Sequence, residues 1–157
     1  MMKVASFDIV FQEVPDEVTL ALNISGCPNR CPGCHSPHLR EDIGELMTEE
    51  LIDALLGRYA SATCVAFMGG DQDPAEVLGW ARFIHLRHLK TAWYSGRQQL
   101  PKNIYESDVL YALDYLKLGP YDQSKGGLKS PTTNQRFYRR QADGWEDITY
   151  RFQSHPL

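Results

Sequence analysis

The alternation of apolar runs with helix-like segments constrains the fold of this chain more than any other feature. Four apolar runs have the composition of buried strands: residues 20–24, 63–68, 91–94 and 111–118. Each run ends at a turn that contains glycine. Strands that alternate with helices pair in parallel, because the crossover helix returns the chain to the same end of the sheet. The pattern therefore predicts an α/β domain with a mostly parallel sheet.

Two helices are predicted from the residues at which they begin. Thr48 is a suitable N-cap, and the two glutamates after it lie where the helix dipole favours carboxylates. Asp73 and Glu76 form a capping-box pattern around Pro74. Apolar residues continue this second helix on one face as far as His88.

The rest of the chain gives a weaker pattern. A short helix is expected over residues 104–109. Residues 121–147 are polar and glycine-rich, and a last strand is expected over 147–152. The chain of 157 residues is expected to form one domain, residues 1–157, large enough to bury a core without disulfides.

Charge and hydropathy exclude several classes of protein. The net charge of −4 argues against a broad basic face for nucleic acid. No apolar run has the length of a membrane span, and the first residues lack the apolar core of a signal peptide. A cytoplasmic protein without nucleic-acid or membrane contacts is expected.

Three cysteines lie within eight residues, and their spacing is the most specific chemical signal in the sequence. Cys27, Cys31 and Cys34 follow the pattern C-x3-C-x2-C, in a segment whose prolines and glycine exclude regular structure. Cysteines in cytosolic proteins bind metals or act in catalysis more often than they form disulfides. A 4Fe-4S cluster held by three cysteines keeps one iron open to a ligand. Cys64 lies in an apolar run and is interpreted as a core thiol.

Zinc remains an alternative for the cysteine segment. A structural zinc needs four ligands, and His35 or His38 would have to supply the fourth. His38 fits better, because His35 follows Cys34 directly. The spacing favours iron-sulfur over zinc without deciding between them.

Other distinctive residues also follow predicted strands. They are the Gly69-Gly70-Asp71 run, the Ser95-Gly96 pair and the Gly119-Pro120 pair. The carboxyl ends of parallel strands meet at one edge of the sheet, and ligands of α/β proteins bind there. A ligand site is therefore predicted at this edge, beside the cysteine segment.

The cysteine segment, placed after the first predicted parallel strand, resembles that of radical S-adenosylmethionine (SAM) enzymes. Gly69-Gly70-Asp71 resembles the Gly-Gly-Glu element of that family, with aspartate in place of glutamate. The run at residues 31–35, residues 133–136 and the short length are similar to the activating proteins of anaerobic ribonucleoside-triphosphate reductases. The resemblance extends from about Phe7 to Phe152.

The resemblance implies a set of cofactor contacts. In that family three thiolates bind a 4Fe-4S cluster, and this role carries over to Cys27, Cys31 and Cys34. The open iron chelates the amino and carboxylate groups of SAM. No catalytic side chain is expected beyond the cluster and SAM. The residues expected to contact SAM are Gly33, His35, Gly69, Gly70, Asp71, Ser95 and Lys117.

Length and resemblance together imply an open partial (β/α) barrel of four to five βα units, because a closed barrel needs about 250 residues. The uncovered side suits a protein substrate. The resemblance implies that the chain places a glycyl radical on the large subunit of an anaerobic ribonucleoside-triphosphate reductase, with electrons from a flavodoxin- or ferredoxin-type donor. One alternative is another small radical SAM enzyme, either a different glycyl-radical activase or a deazaguanine-type synthase. A zinc-binding interaction module without catalysis is a second alternative.

Overall fold

A computed structural model describes residues 1–26, 43–99, 112–142 and 144–153 of the chain. The cysteine segment and the helix expected over 104–109 lie outside the described residues. The predictions for Cys27, Cys31, Gly33, Cys34 and His35 therefore stay predictions.

The described residues form one open eight-stranded sheet with strand order β3-β1-β2-β4-β5-β6-β7-β8. The strands are β1 (Lys3–Val10), β2 (Thr19–Ile24), β3 (Glu45–Leu46), β4 (Cys64–Met68), β5 (Lys90–Tyr94), β6 (Tyr115–Leu118), β7 (Arg136–Gln141) and β8 (Gly144–Asp147). The four central strands, β2, β4, β5 and β6, pair in parallel. The remaining pairs are antiparallel. The predicted α/β class with a mostly parallel centre is confirmed.

Three of the four predicted central strands match the structure within a residue at each end. The fourth is shorter than predicted, because β6 begins only at Tyr115. Asp114 instead binds the neighbouring strand β5 and the end of the preceding helix. Its carboxylate accepts from Thr91 N–H at 2.9 Å and contacts His85 Nε2 at 2.8 Å. Residues 112–114 therefore bridge to β5 and to the preceding helix before the strand begins.

Two helices, α1 (Glu49–Arg58) and α2 (Pro74–His85), lie in the described ranges, and both begin where predicted. Thr48 Oγ1 accepts from Leu51 N–H, and Asp73 Oδ1 accepts from Glu76 N–H, each at 3.1 Å. The capping box is half formed, because the Glu76 carboxylate accepts instead from Met2 N–H and from an indole N–H of its own helix. The prediction that His88 continues α2 is wrong: it lies in the turn after the helix, with φ of +62°.

The two faces of the sheet carry different side chains. The face toward the helices is formed by large apolar residues such as Leu22, Phe67 and Trp93, all fully buried. The opposite face carries smaller side chains on its inner strands, including Cys64, Ala66 and Ala92. Strand order follows chain order through the parallel region. The buried residues of α1 and α2 pack against the same face of the sheet.

The expected four to five βα units are not present in the described ranges, where only β2–α1 and β4–α2 have that form. The outer strands are antiparallel instead. The strand predicted over 147–152 is also wrong: β8 ends at Asp147, and Thr149–Phe152 form a short 3-10 helix. Asp147 Oδ1 accepts from the N–H and hydroxyl of Thr149 at 2.9 and 2.6 Å, a local turn that ends the strand.

The β7–β8 hairpin comes from a part of the sequence in which no strand was predicted. Its polar side chains pair with one another across the two strands. Arg139 contacts Glu146 at 2.7 Å, and Arg136 contacts Asp147 at 3.7 Å. Neither helix of the described chain has the length and apolar character needed to cross a bilayer.

Candidate functional site at the carboxyl edge of the sheet

Four side chains form a row across the carboxyl ends of the parallel strands. Asn23, Met68, Tyr94 and Lys117 are register partners in neighbouring strands, on the face opposite the helices. Two of them are anchored to the N-terminal part of the chain. The Asn23 amide donates to Ser6 Oγ at 2.9 Å, and the Tyr94 hydroxyl donates to a main-chain carbonyl in the loop after β1.

The Gly69–Gly70 turn follows β4 at this edge, as predicted. Both residues have positive φ, +107° and +94°. A Cβ on Gly70 would lie 2.6 Å from Val77 Cγ2, so a larger residue would force the packing against Val77 to shift. The turn is tied to β5, because the Trp93 indole donates to Gly69 O at 2.8 Å and Gly69 N–H donates to Tyr94 O at 3.1 Å.

Asp71 joins this turn to the next one. Its side chain is buried, with 1% of the residue exposed, and Ser95 is fully buried. Asp71 Oδ1 accepts from the Ser95 hydroxyl at 2.6 Å, and Oδ2 accepts from Gly96 N–H at 2.8 Å. Arg97 completes the link by donating from its guanidinium to Asp71 O at 3.0 Å.

Lys117 joins the second turn to a third. Its ammonium group is largely buried and donates to Ser95 O at 3.0 Å and to Gly119 O at 2.8 Å. Main-chain bonds run alongside, from Ser95 N–H to Lys117 O at 2.9 Å and from Gly119 N–H to Arg97 O at 2.7 Å. The turns at 69–71, 95–97 and 117–119 therefore form one hydrogen-bonded unit, here called the carboxyl-edge network.

The chain enters the cysteine segment beside this network. Gln72 Nε2 donates to Ser25 O at 2.9 Å, which fixes the end of β2 against the turn after β4. Gly26 has φ of +76°, and a Cβ there would meet Gln72 Nε2 at 3.3 Å. Gly26 is therefore a tight turn at the point where the chain leads into Cys27.

The loop between β6 and β7, residues 119–135, borders the same edge. Asn134 Nδ2 donates to Pro120 O at 3.0 Å, and Thr133 Oγ1 donates to Gly126 O at 3.1 Å. No donor within the described ranges reaches Asn134 Oδ1, although that atom is buried. Sequence reasoning found residues 133–136 only through resemblance, because their side-chain partners lie up to 16 residues away.

Cys64 is the one cysteine in the described ranges, and it is enclosed by the apolar core on the face opposite the helices. Burial, and secondarily the nearby Glu17 carboxylate, raise the pKa of its thiol far above the usual range. Thiolates, not thiols, bind metals. The prediction that Cys64 is a core thiol is confirmed.

A second buried carboxylate lies at the amino edge of the sheet, away from the network. Glu17 accepts from the hydroxyls of Tyr115 and Thr63, each at 2.8 Å, and from Lys90 Nζ at 3.0 Å. Burial, and then the bond to Glu17, raise the pKa of Tyr115 well above its ordinary value. Every group of this cluster is paired inside the protein, so the cluster closes the amino edge and does not offer a ligand site.

Comparison with known protein families identifies the class of cofactor that this chain binds. The family described as "4Fe-4S single cluster domain" matches residues 17–139, more than three quarters of the chain. The chain belongs to this family. It is therefore an iron-sulfur protein with a single 4Fe-4S cluster. Comparison with the curated proteins and with the solved structures finds no match.

The residues of this iron-sulfur protein fit such a cluster. Within the described ranges no three His, Cys, Asp or Glu side chains come together to hold a metal. Cys64 is enclosed in the core. Cys27, Cys31 and Cys34 lie outside the described residues, and their thiols are the type of ligand that iron-sulfur clusters take. Their role as the cluster ligands stays a prediction.

Proposed function

We propose that this iron-sulfur protein is a radical SAM activase that generates a glycyl radical on the large subunit of an anaerobic ribonucleoside-triphosphate reductase. One observation carries the proposal. Three turns after parallel strands, each with a residue predicted to contact SAM, are joined in one network where the chain enters the cysteine segment. A ligand held by the cluster at this edge would meet all three turns.

A reduced 4Fe-4S cluster bound at Cys27, Cys31 and Cys34 would supply the one electron needed to cleave SAM into methionine and a 5′-deoxyadenosyl radical. The chain's own residues would bind and orient SAM for this chemistry. Gly69 and Gly70 place main-chain polar groups at this edge, since their positive φ and their close packing on Ile24 and Val77 leave no space for a Cβ. Lys117 brings positive charge to the edge that receives the methionine carboxylate. Its bonds to two main-chain carbonyls fix the position of that charge.

The open sheet supports a protein substrate. Among the described residues, β3 and β8 are the outer strands of an open sheet. A glycine loop of a partner can then reach the radical, which takes the Cα hydrogen and becomes 5′-deoxyadenosine. Glycine suits this step because no side chain obstructs the approach. The electron comes from a flavodoxin- or ferredoxin-type donor.

The first test separates the cluster from the core thiol by a matched pair of substitutions. Cys31→Ala removes a cluster ligand, so protein reconstituted under anaerobic conditions should lose its iron, its sulfide and its SAM cleavage. Cys64→Ala removes a buried thiol that binds no metal, so iron content should stay at the wild-type level. Iron and acid-labile sulfide analysis and the yield of 5′-deoxyadenosine measure these outcomes. A zinc-loaded wild type that cleaves no SAM would overturn the proposal.

The second test addresses the substrate. The reconstituted protein, SAM and a chemical reductant are mixed with the large subunit of an anaerobic ribonucleoside-triphosphate reductase and examined by electron paramagnetic resonance. The expected result is a glycyl-radical signal that depends on SAM. As a control, the Cys31→Ala protein should give no signal. SAM cleavage without a glycyl signal would assign the chain to another kind of small radical SAM enzyme.

A further inference from the structure

We infer that Asp71 is a positioning residue, which holds the turn at 69–71 against the turn at 95–97 so that the main chains of both turns meet one bound SAM. The inference rests on the proposed function for the identity of the ligand. It gives Asp71 a role through its neighbours in the fold, in place of the direct contact with SAM expected from the sequence.

The contacts of Asp71 account for both carboxylate oxygens. One accepts from the Ser95 hydroxyl at 2.6 Å and the other from Gly96 N–H at 2.8 Å. Ser95 Oγ also accepts from Arg97 N–H at 3.1 Å, so the serine hydroxyl is used as both donor and acceptor. Both side chains are buried. Hydrogen bonds to a charged acceptor in such surroundings are the strong ones.

The length of the side chain fits this role. Asp71 spans the gap between two turns that follow neighbouring strands, with short contacts at both oxygens. A glutamate is longer by one methylene group, so its carboxylate would occupy the same place only if the side chain bent or one turn shifted. The radical SAM enzymes that the chain resembles have glutamate at the matching position. The aspartate here is therefore explained by the close approach of the two turns.

An asparagine at this position tests the link with little change in size. In Asp71→Asn the amide has a single oxygen, which can accept from the Ser95 hydroxyl or from Gly96 N–H but not from both. In either orientation one of these two buried donors loses its acceptor. The separation of the two turns should become variable. The dissociation constant for SAM should then rise at least about tenfold, since a buried unpaired donor carries a large penalty.

The experiment compares Asp71→Asn with Asp73→Asn in the cluster-loaded protein. Asp73 caps α2 through a bond from Glu76 N–H, and asparagine caps helices as well as aspartate, so this control should bind SAM like wild type. SAM affinity is measured by equilibrium dialysis and by the change in the paramagnetic resonance spectrum of the reduced cluster. The hydrogen-exchange rate of the Gly96 amide measures whether its bond to residue 71 is intact. In Asp71→Asn we expect weaker SAM binding, faster exchange at Gly96 and wild-type iron content.

The outcomes separate this inference from the proposed function. If wild type binds SAM and Asp71→Asn binds it within twofold of wild type, the positioning role is wrong and the proposed function stands. If Asp71→Asn loses iron in parallel with SAM, the residue supports the cluster and the inference is also overturned. If wild type binds no SAM, both the proposed function and this inference are wrong.

Discussion

Asp71 and Glu17 are two buried carboxylates at opposite edges of the same sheet, and their partners give them different roles. Glu17 accepts from three side chains at the amino edge. Asp71 accepts from the Ser95 hydroxyl and from Gly96 N–H, and so fixes the course of the backbone after β5. The amino-edge carboxylate therefore joins side chains, while the carboxyl-edge one joins the turns at 69–71 and 95–97.

The Glu17 cluster makes stability depend on pH in the alkaline range. The pKa of Tyr115 is raised in the folded protein, first by burial and then by its bond to Glu17. As the pH rises past the ordinary tyrosine pKa of about 10, the unfolded chain loses its proton first. The free energy of unfolding should thus be unaffected by this group below about pH 9 and fall above about pH 10.

Tyr115→Phe checks this prediction. The variant should lose about 1 kcal/mol at neutral pH, because Glu17 loses a hydrogen bond. Its free energy of unfolding should then fall less steeply than that of wild type between about pH 9 and 11. Urea unfolding at a series of pH values measures both effects. An alkaline slope equal to that of wild type would show that Tyr115 is not the group responsible.

At the scale of the single residue, the sequence predicts where the site residues lie but not which hydrogen bonds they make. Gly69, Gly70, Asp71 and Ser95 each follow an apolar run and Lys117 lies near the end of one, and the structure brings all five together at one edge. Their hydrogen bonds join residues that are 22 to 25 positions apart. Local patterns carry no information on such pairs, since the pairing depends on strand register.

The two helices show that local sequence is enough to predict where a helix begins. Both N-caps were predicted and both accept the expected N–H.

The edge strands, in contrast, were not predicted from local sequence. β7 was missed because its sequence, RFYRRQ, is dominated by charge. Its arginines pair with carboxylates on β8 and near β6, which only the folded sheet brings close. A strand stabilised by cross-strand ion pairs lacks the apolar signal that strand prediction uses.

Helix α2 carries a glycine that packs against nothing. A Cβ on Gly79 would meet no atom within 4 Å, so Gly79→Ala should add about 0.5–1 kcal/mol to the free energy of unfolding, through the higher helix propensity of alanine. Gly70→Ala is the contrasting change. Its Cβ would lie 2.6 Å from Val77 Cγ2 at a φ of +94°, and it should destabilise. Chemical denaturation of both variants measures the difference. A stabilising Gly70→Ala would contradict the tight turn described here.

At the scale of the molecule, stability should be concentrated in the middle of the sheet. The inner residues of β4 and β5 are fully buried, with apolar layers on both faces. β8 is an outer strand with mostly exposed residues. Native-state hydrogen exchange should therefore be slowest in β4 and β5 and fastest in β8. Exchange in β8 as slow as in β5 would contradict this distribution.

Strand order has a consequence for how the protein is made. Each strand of the sheet pairs with a strand that precedes it in the chain, from β2 on β1 to β8 on β7. During translation the sheet can thus grow in step with synthesis, and no strand has to wait for a partner still inside the ribosome. The carboxyl-edge network needs the chain only as far as Gly119. This network can therefore form on the nascent chain before the last hairpin is synthesised.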